Sequence, residues 1–176
     1  MGESTGRAGD KIGWNKLAGI VNFGLTKLRL RGIPIMVRKL QKADIDRVAD
    51  IWLDTNLKAH DFISAQYWKR NFELVKEMLL QAEVYVYESD QKIQGFIGLN
   101  DEYIEGIFVS GEMQSQGIGK ILLNYAKDKR SKLYLNVYQK NARAISFYKR
   151  EGFEIQHSGL DEATGEKDYV MTWQHK

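Results

Sequence analysis

The order in which the hydrophobic period changes along the chain is the feature that most constrains its fold. From Met36 onward, segments with the two-residue period of strands are interspersed with segments that have the three-to-four-residue period of helices. The resulting order is β-α-α-β-β-β-α-β-α-β-β, so both hairpins and helical crossovers connect the strands. This order predicts a single α+β domain with a mixed central sheet of about 6–7 strands flanked by about four helices.

The limits of the predicted elements follow from these periods together with turn and cap residues. Ser64 is the expected N-cap of the second helix, and Gly152 is the expected stop after the last helix. The predicted strands are residues 35–38, 84–87, 93–99, 103–109, 133–137, 153–156 and 169–173, and the predicted helices are residues 45–53, 64–79, 117–130 and 142–150.

The content of cysteine and histidine excludes several kinds of chemistry. The 176 residues include no cysteine and three histidines. A disulfide framework, a cysteine-based metal site and a thiol nucleophile are therefore excluded, and a reducing cytoplasm is the expected location. His60, His157 and His175 are too scattered for a helical zinc motif, so we expect no metal.

Residues 1–35 differ in composition from the rest of the chain. They hold six Lys/Arg, two Asp/Glu and seven of the sixteen glycines, whereas residues 36–176 hold twenty basic and twenty-one acidic residues. No apolar run is long enough for a membrane span or a secretory signal, and the near-neutral body argues against a nucleic-acid-binding surface. We interpret 1–35 as a non-native or flexible basic leader and 36–176 as the domain. The alternative is a basic amphipathic arm around residues 17–30 that docks on a surface.

The segment 109–120 joins a predicted strand to the start of a predicted helix. A helix start presents unpaired backbone N–H groups, and glycines at 117 and 119 let a ligand's phosphates approach that backbone. A Walker loop would need glycine where Gln114 stands, and a dinucleotide fingerprint would need glycine where Leu122 stands. The segment therefore matches neither of these two motifs. The segment therefore predicts an anionic ligand; the alternative is that its glycines serve only a tight turn and close packing.

Two blocks of the sequence resemble the GNAT N-acetyltransferase family. Residues 114–119 (QSQGIG), preceded by the strand 104–109, resemble the acetyl-CoA signature (Q/R)xxGx(G/A). Residues 136–153 resemble the second family block, in which a strand ends at an asparagine and a helix carries the pattern FYxxxGF. The similarity extends over residues 36–176 and is strongest to small bacterial acetyltransferases. One departure is Gly111, where many members have proline.

This resemblance implies that the chain binds acetyl-CoA as a co-substrate. The pantetheine arm would insert between the strands 104–109 and 133–137 and pair with backbone groups of Ile107 and Val109. Asn141 would bond the pantetheine or cap the last helix, and the two roles are compatible. The other implied cofactor-binding residues lie around the helix start and are Gln114, Ser115, Gln116, Gly117, Ile118, Gly119 and Lys120.

The resemblance also implies direct attack of an amine on the thioester, without an acyl-enzyme. Tyr148 matches the family tyrosine that protonates the departing thiolate; the alternative is a core aromatic. Glu105, Ile107 and Val109 are spaced by two residues, so they are expected to have the same orientation along the strand. Glu105 also matches an acidic position in many relatives. It is the candidate base, acting through a water, and the alternative is an ordinary exposed carboxylate. The Val109 N–H is the candidate donor to the acetyl oxygen.

Two residues between the first two predicted helices lie in the region that lines the acceptor side in relatives. They are His60 and Phe62, and His60 could orient the amine or serve only as a structural loop residue. The predicted function is acetyl transfer from acetyl-CoA to a primary amine of a small molecule, a protein lysine or a protein N-terminus. The competing hypothesis is a non-catalytic acyl-CoA-binding regulatory module. Dimerisation is common in the family, so a homodimer is an expected assembly.

Overall fold

The computed structural model of the protein describes residues 26–30 and 33–175, and the side chains of residues 36–175. The strands are β1 (Thr26–Leu30), β2 (Ile33–Lys39), β3 (Glu83–Ser89), β4 (Lys92–Asn100), β5 (Tyr103–Val109), β6 (Lys132–Tyr138), β7 (Glu154–Asp161) and β8 (Glu166–Gln174). The helices are α1 (Ile45–Ala59), α2 (Ala65–Arg70), α3 (Phe72–Leu79), α4 (Ile118–Lys127) and α5 (Ala142–Arg150).

The eight strands that the structure describes form one mixed sheet in the order β1-β2-β3-β4-β5-β6-β8-β7, which confirms the predicted α+β architecture. The predicted second helix is divided in two at Asn71, whose side-chain Nδ2 donates to the Tyr67 carbonyl at 2.8 Å. Its predicted cap is confirmed, since the Ser64 hydroxyl accepts a hydrogen bond from the Gln66 N–H. None of the helices that the structure describes is long and apolar enough to cross a membrane.

The extra strand β1 lies inside the segment that the composition assigns to a leader. It pairs antiparallel with β2 from Thr26 opposite Val37 to Leu30 opposite Ile33, and Ile35 of β2 pairs with Ser89 of β3. The sheet therefore begins before the predicted boundary at residue 35. The physical reason is a short two-residue alternation of leucine with basic residues in TKLRL, which suits an edge strand. Residues 1–25 lie outside the described residues, and their assignment as a leader stays a prediction.

Two hydrophobic clusters occupy the two faces of the sheet. On one face, α4 and α5 pack on β4, β5, β6 and β8 through residues such as Leu122, Leu135 and Met171. On the other face, α1, α2 and α3 pack on β3 and β4 through residues such as Trp52 and Phe96. Packing on both faces therefore holds β4 and β5 in place, although β5 separates from β6.

The junction of β5 with β6 is parallel and very short. Tyr103 opposite Tyr134 is the single residue pair in its register, and the Tyr134 N–H donates to the Glu102 carbonyl at 2.9 Å. Every other pair of neighbouring strands matches over at least five residues. The two strands therefore diverge toward the carboxyl end of β5, and we call the space between them the β5–β6 gap. Backbone groups that face such a gap can pair with an extended ligand.

Deletion of residues 1–30 is expected to leave CoA affinity within roughly twofold of the full chain, since β1 is remote from β5 and distant sites act independently. Deletion of residues 1–35 should lower the melting temperature further, because it also removes the start of β2, including Ile35, the first of the five β2 residues that pair with β3. Calorimetric titration with CoA and thermal unfolding check both variants. Loss of CoA binding on removal of β1 alone would contradict this account of the sheet.

Candidate active site

Helix α4 begins at a left-handed glycine. Gly117 is the N-cap with φ of 86°, no side chain caps the helix, and a Cβ at this position would meet nothing within 4 Å. The first intrahelical bond runs from the Ile121 N–H to the Gly117 carbonyl at 3.0 Å. The N–H groups of Ile118, Gly119 and Lys120 precede it and have no intrahelical partner. This open, positively polarised helix start fits a phosphate group.

The loop between β5 and α4 is fastened by an arginine of α5. The Gln114 side chain donates to the Val109 carbonyl at 3.1 Å and accepts from Arg143 at 2.9 Å. A second Arg143 nitrogen donates to the Ser115 hydroxyl at 3.1 Å, and Ser115 itself has φ of 63°. Arg143 is a functional candidate that the sequence analysis missed, because it has the pattern of an ordinary exposed helix residue.

The hydrogen bonds that β5 makes to β4 show which of its backbone groups face the β5–β6 gap on the other side. The Ser110 N–H donates to the Gln94 carbonyl of β4 at 2.8 Å. Because backbone polar groups alternate in direction along a strand, the N–H groups of Ile107 and Val109 point away from β4, toward the gap. This is the orientation that the sequence analysis expects of the two residues.

Glu105 occupies a β-bulge. Gly106 pairs with Gly98 and Ile104 with Leu99, so Glu105 is the extra residue of β5. The bulge breaks the simple alternation on which the predicted shared orientation with Ile107 and Val109 depends. The Glu105 carboxylate accepts a hydrogen bond from the Asn100 side chain, but burial outweighs this effect and raises the Glu105 pKa to about 7. A carboxylate with this pKa can exchange a proton at neutral pH.

Two neighbouring tyrosines follow on from Glu105: the half-buried Tyr103 interacts with Glu105, and the buried Tyr148 interacts with Tyr103. Tyr148 is 7% exposed and packs edge-on against Phe147 and Phe153, with ring centroids 5.1 and 5.4 Å away. Burial, and then the neighbouring Tyr103 phenol, raise the Tyr148 pKa, so the phenol stays protonated at neutral pH. Burial and the nearby Glu105 raise the Tyr103 pKa, and the Tyr103 phenol also bonds the backbone of Asn136. Tyr103 is not among the predicted site residues, because it has the pattern of an ordinary strand aromatic.

His60 is held at both ring nitrogens. Its Nδ1 lies 2.9 Å from Asn56 Oδ1, and its Nε2 lies 3.1 Å from Asn141 Nδ2. Asn141 also caps α5, since its Oδ1 accepts from the Ala144 N–H at 3.1 Å, which confirms its predicted role as an N-cap. Direct binding of an amine by His60, as predicted, would need a ring nitrogen that these partners already occupy.

An aromatic cluster surrounds His60, and we call it the acceptor cluster. Its members are His60, Phe62, Trp68 and Tyr138, with ring centroids 5.1–5.7 Å from that of His60. The Tyr138 hydroxyl donates to Asp161 at 2.5 Å. The Lys140 ammonium lies 5.2 Å from the centre of the Phe62 ring and pairs with Glu166 at 2.9 Å. Within the described residues, no three His, Cys, Asp or Glu side chains come together as a metal site.

Comparison with known proteins places these features in a family. A profile of the acetyltransferase (GNAT) domain matches residues 81–155. The chain is 33% identical over 140 residues to the peptidyl-lysine N-acetyltransferase YiaC of Escherichia coli. The matched region covers 78% of this chain and 96% of that relative. The chain is 32% identical over 122 residues to the peptidyl-lysine N-acetyltransferase YjaB of Salmonella typhimurium, which covers 69% of this chain and 84% of that relative.

Solved structures share the fold. Apo YjaB of Escherichia coli superposes with a TM-score of 0.73 at 23% identity and covers 81% of this chain and 99% of its own. The PaiA N-acetyltransferase of Thermoplasma acidophilum, solved with coenzyme A, superposes with a TM-score of 0.68 at 21% identity and covers 80% of this chain and 99% of its own.

The β5–β6 gap and the open start of α4 suit an extended ligand that carries phosphate groups. The chain belongs to the GNAT acetyltransferase family, and it is an N-acetyltransferase that takes its acetyl group from acetyl-CoA. The predictions of fold, family and acetyl donor are therefore confirmed. The relatives are named as enzymes, so they give no support to the hypothesis of a non-catalytic binding module.

Replacement of Gly119 by valine is expected to weaken acetyl-CoA binding at least several-fold. A Cβ at Gly119 would lie 3.6 Å from the Phe147 ring and 3.9 Å from Ile107 Cγ2, an ordinary contact that alanine can make. The additional methyl groups of valine would crowd the unpaired N–H groups. Calorimetric titration of Gly119→Val, with Gly119→Ala as the matched control, measures the effect. Wild-type affinity in a folded Gly119→Val protein would contradict the proposed phosphate site.

Proposed function

We propose that the protein acetylates the side-chain amine of lysine residues in proteins, by direct transfer from acetyl-CoA. The observation that carries this proposal is the acceptor cluster with its neighbouring carboxylates. Aromatic faces accommodate the methylene stem of lysine, and carboxylates such as Asp161 and Glu166 favour its ammonium group. The chain's own Lys140 already makes such a contact, since its ammonium lies over Phe62 and pairs with Glu166.

The relatives support a protein acceptor over a small molecule. Those that cover most of this chain at about one-third identity are named peptidyl-lysine N-acetyltransferases. A spermidine N-acetyltransferase of Vibrio cholerae shares the fold at 19% identity, which carries no inference about the acceptor. Lysine side chains are therefore the favoured member of the amine class.

The residues around the β5–β6 gap suit the chemistry of acetyl transfer. Acetyl-CoA, when bound, supplies an activated thioester. Glu105 accepts the proton that the lysine ammonium must lose, through a water where the distance requires one. The Val109 N–H donates a hydrogen bond to the acetyl oxygen, and the Tyr148 phenol donates its proton to the departing thiolate. The chain has no cysteine that could form a thioester with the protein, which agrees with direct transfer.

Cofactor contacts are proposed for the helix start and the gap. The unpaired N–H groups of α4 would hold the pyrophosphate, with the adjoining Gln116 and Ser115 at its edge. The backbone groups of Ile107 and Val109 would pair with the pantetheine amides. Gln114 acts on this site through the loop, because both ends of its side-chain amide are engaged by protein atoms.

Three further properties of the protein are proposed. The absence of cysteine favours a reducing compartment, the cytoplasm. A homodimer stays a prediction from the family. The independent domain is proposed to include β1 and to begin near residue 26, where the described sheet begins.

The acceptor is tested with acetyl-CoA and three kinds of amine, with thiol release and mass spectrometry as the measurements. The panel consists of N-terminally blocked peptides with one lysine, lysine-free peptides with a free N-terminus, and spermidine. We expect turnover on the first group with acetylation of the lysine side chain, and none on the same peptides with Lys→Arg. Turnover confined to spermidine or to N-terminal amines would contradict the proposal.

The pH dependence of turnover is expected to report Glu105. The base must be ionised, and its pKa is about 7, so kcat/KM should rise with pH with a midpoint near 7. Burial lowers the pKa of His60 to about 4, so this histidine cannot account for that limb. Glu105→Gln should lose the limb together with most of the rate, whereas Glu102→Gln, an exposed neighbour, should keep both. An unchanged profile in Glu105→Gln would assign the base to another group.

Removal of the Tyr148 hydroxyl is expected to slow turnover by roughly 10²-fold, the usual effect of losing a positioned proton donor. Tyr148→Phe keeps the ring and its contacts with Phe147 and Phe153, so CoA affinity and melting temperature should hold. Tyr125→Phe, which removes a hydroxyl from a tyrosine packed against the same core, is the control. Wild-type turnover of Tyr148→Phe, under conditions where chemistry limits the rate, would show that another group supplies the proton.

A further inference from the structure

We propose that His60 is a positioning residue that ties the acceptor side of the site to the cofactor side by orienting Asn141. The proposal rests on the proposed acetyl-CoA site, because Asn141 is its pantetheine contact. His60 follows the last residue of α1, and Asn141 precedes the first residue of α5, 81 positions later in the chain. Their hydrogen bond thus joins two elements that come from opposite faces of the sheet.

The hydrogen bonds fix the orientation of both asparagine amides. Asn56 donates through Nδ2 to the Trp52 carbonyl at 2.9 Å, which leaves its Oδ1 to accept from His60. Asn141 accepts at Oδ1 from the Ala144 N–H, which leaves its Nδ2 to donate to His60. His60 is therefore neutral, with its proton on Nδ1 and a lone pair on Nε2.

The surroundings hold the ring in this state. The indole of Trp68 stacks on the imidazole at 5.5 Å, and Tyr138 packs against it edge-on at 5.1 Å. Burial lowers the His60 pKa to about 4, so the ring stays neutral at physiological pH. The charged groups that border the cluster have partners other than His60, since Asp161 accepts from Tyr138 and Lys140 pairs with Glu166.

This arrangement determines what Asn141 can offer a ligand. One Nδ2 hydrogen is directed to His60 and one Oδ1 lone pair to the start of α5, so one hydrogen and one lone pair remain. A pantetheine amide could bond both of these groups. Without His60, the Asn141 amide would lose the partner that fixes its rotation, and CoA should bind more weakly even in the absence of any acceptor.

The test is a double-mutant cycle on CoA affinity, measured by calorimetry without an acceptor. His60→Phe, which keeps an aromatic ring in the cluster, should weaken CoA roughly five-fold, the effect of one neutral hydrogen bond. It should have little further effect in an Asn141→Ala background, because the two residues act through the same contact. His60→Gln, whose side-chain oxygen can accept from Asn141, should restore most of the affinity.

Each outcome decides the matter. Additive effects of the two substitutions, or wild-type affinity of His60→Phe, would overturn the positioning role while leaving the acetyl-CoA site intact. Failure of the unmodified protein to bind CoA would instead contradict the proposed function itself. If His60→Phe does not fold, ¹⁵N NMR of the His60 ring in the unmodified protein tests the proposal instead. We expect the Nδ1–H tautomer without titration between about pH 5 and 8, and a titrating ring or the Nε2–H tautomer would overturn the proposal.

Discussion

The separation of β5 from β6 is the constraint on which the rest of this structure depends. The two strands share one paired position, Tyr103 with Tyr134, and then diverge, although the pairs on either side, β4 with β5 and β6 with β8, match over six and seven positions. A parallel pair left open in this way exposes backbone groups that would be costly to bury without partners. An extended ligand with amide groups can satisfy them, so the gap favours a pantetheine arm.

Helix α5 organises the groups around that gap. Its cap, Asn141, contacts His60 on the acceptor side; Arg143 holds the loop before α4; and Tyr148 lies in the core beside Phe153. These three residues lie within two turns of one helix, so a single element would relate the proposed acceptor, phosphate and thioester parts of the site. Because α5 shares one hydrophobic cluster with β6 and β8, a displacement of α5 should change cofactor affinity and turnover together.

Much of this account could be predicted from the sequence, because local patterns determine local structure. Gly117 at the start of α4 and the asparagine cap of α5 are consequences of backbone geometry at helix ends, and both appear where expected. The bulge at Glu105 could not be predicted, since it depends on register with β4. The bond between His60 and Asn141 and the role of Arg143 are contacts between distant segments, which no local pattern records. Strand β1 was not predicted, because the residues around it have an unusual composition.

The most direct test of the central claim is a crystal structure of the protein with coenzyme A bound. The account predicts that the pantetheine lies in the β5–β6 gap and bonds the backbone of Ile107 and Val109. It also predicts that the pyrophosphate lies at the start of α4 and that the thiol lies within hydrogen-bonding distance of the Tyr148 hydroxyl. Coenzyme A bound outside the gap, or a Tyr148 hydroxyl directed away from the sulfur, would contradict it.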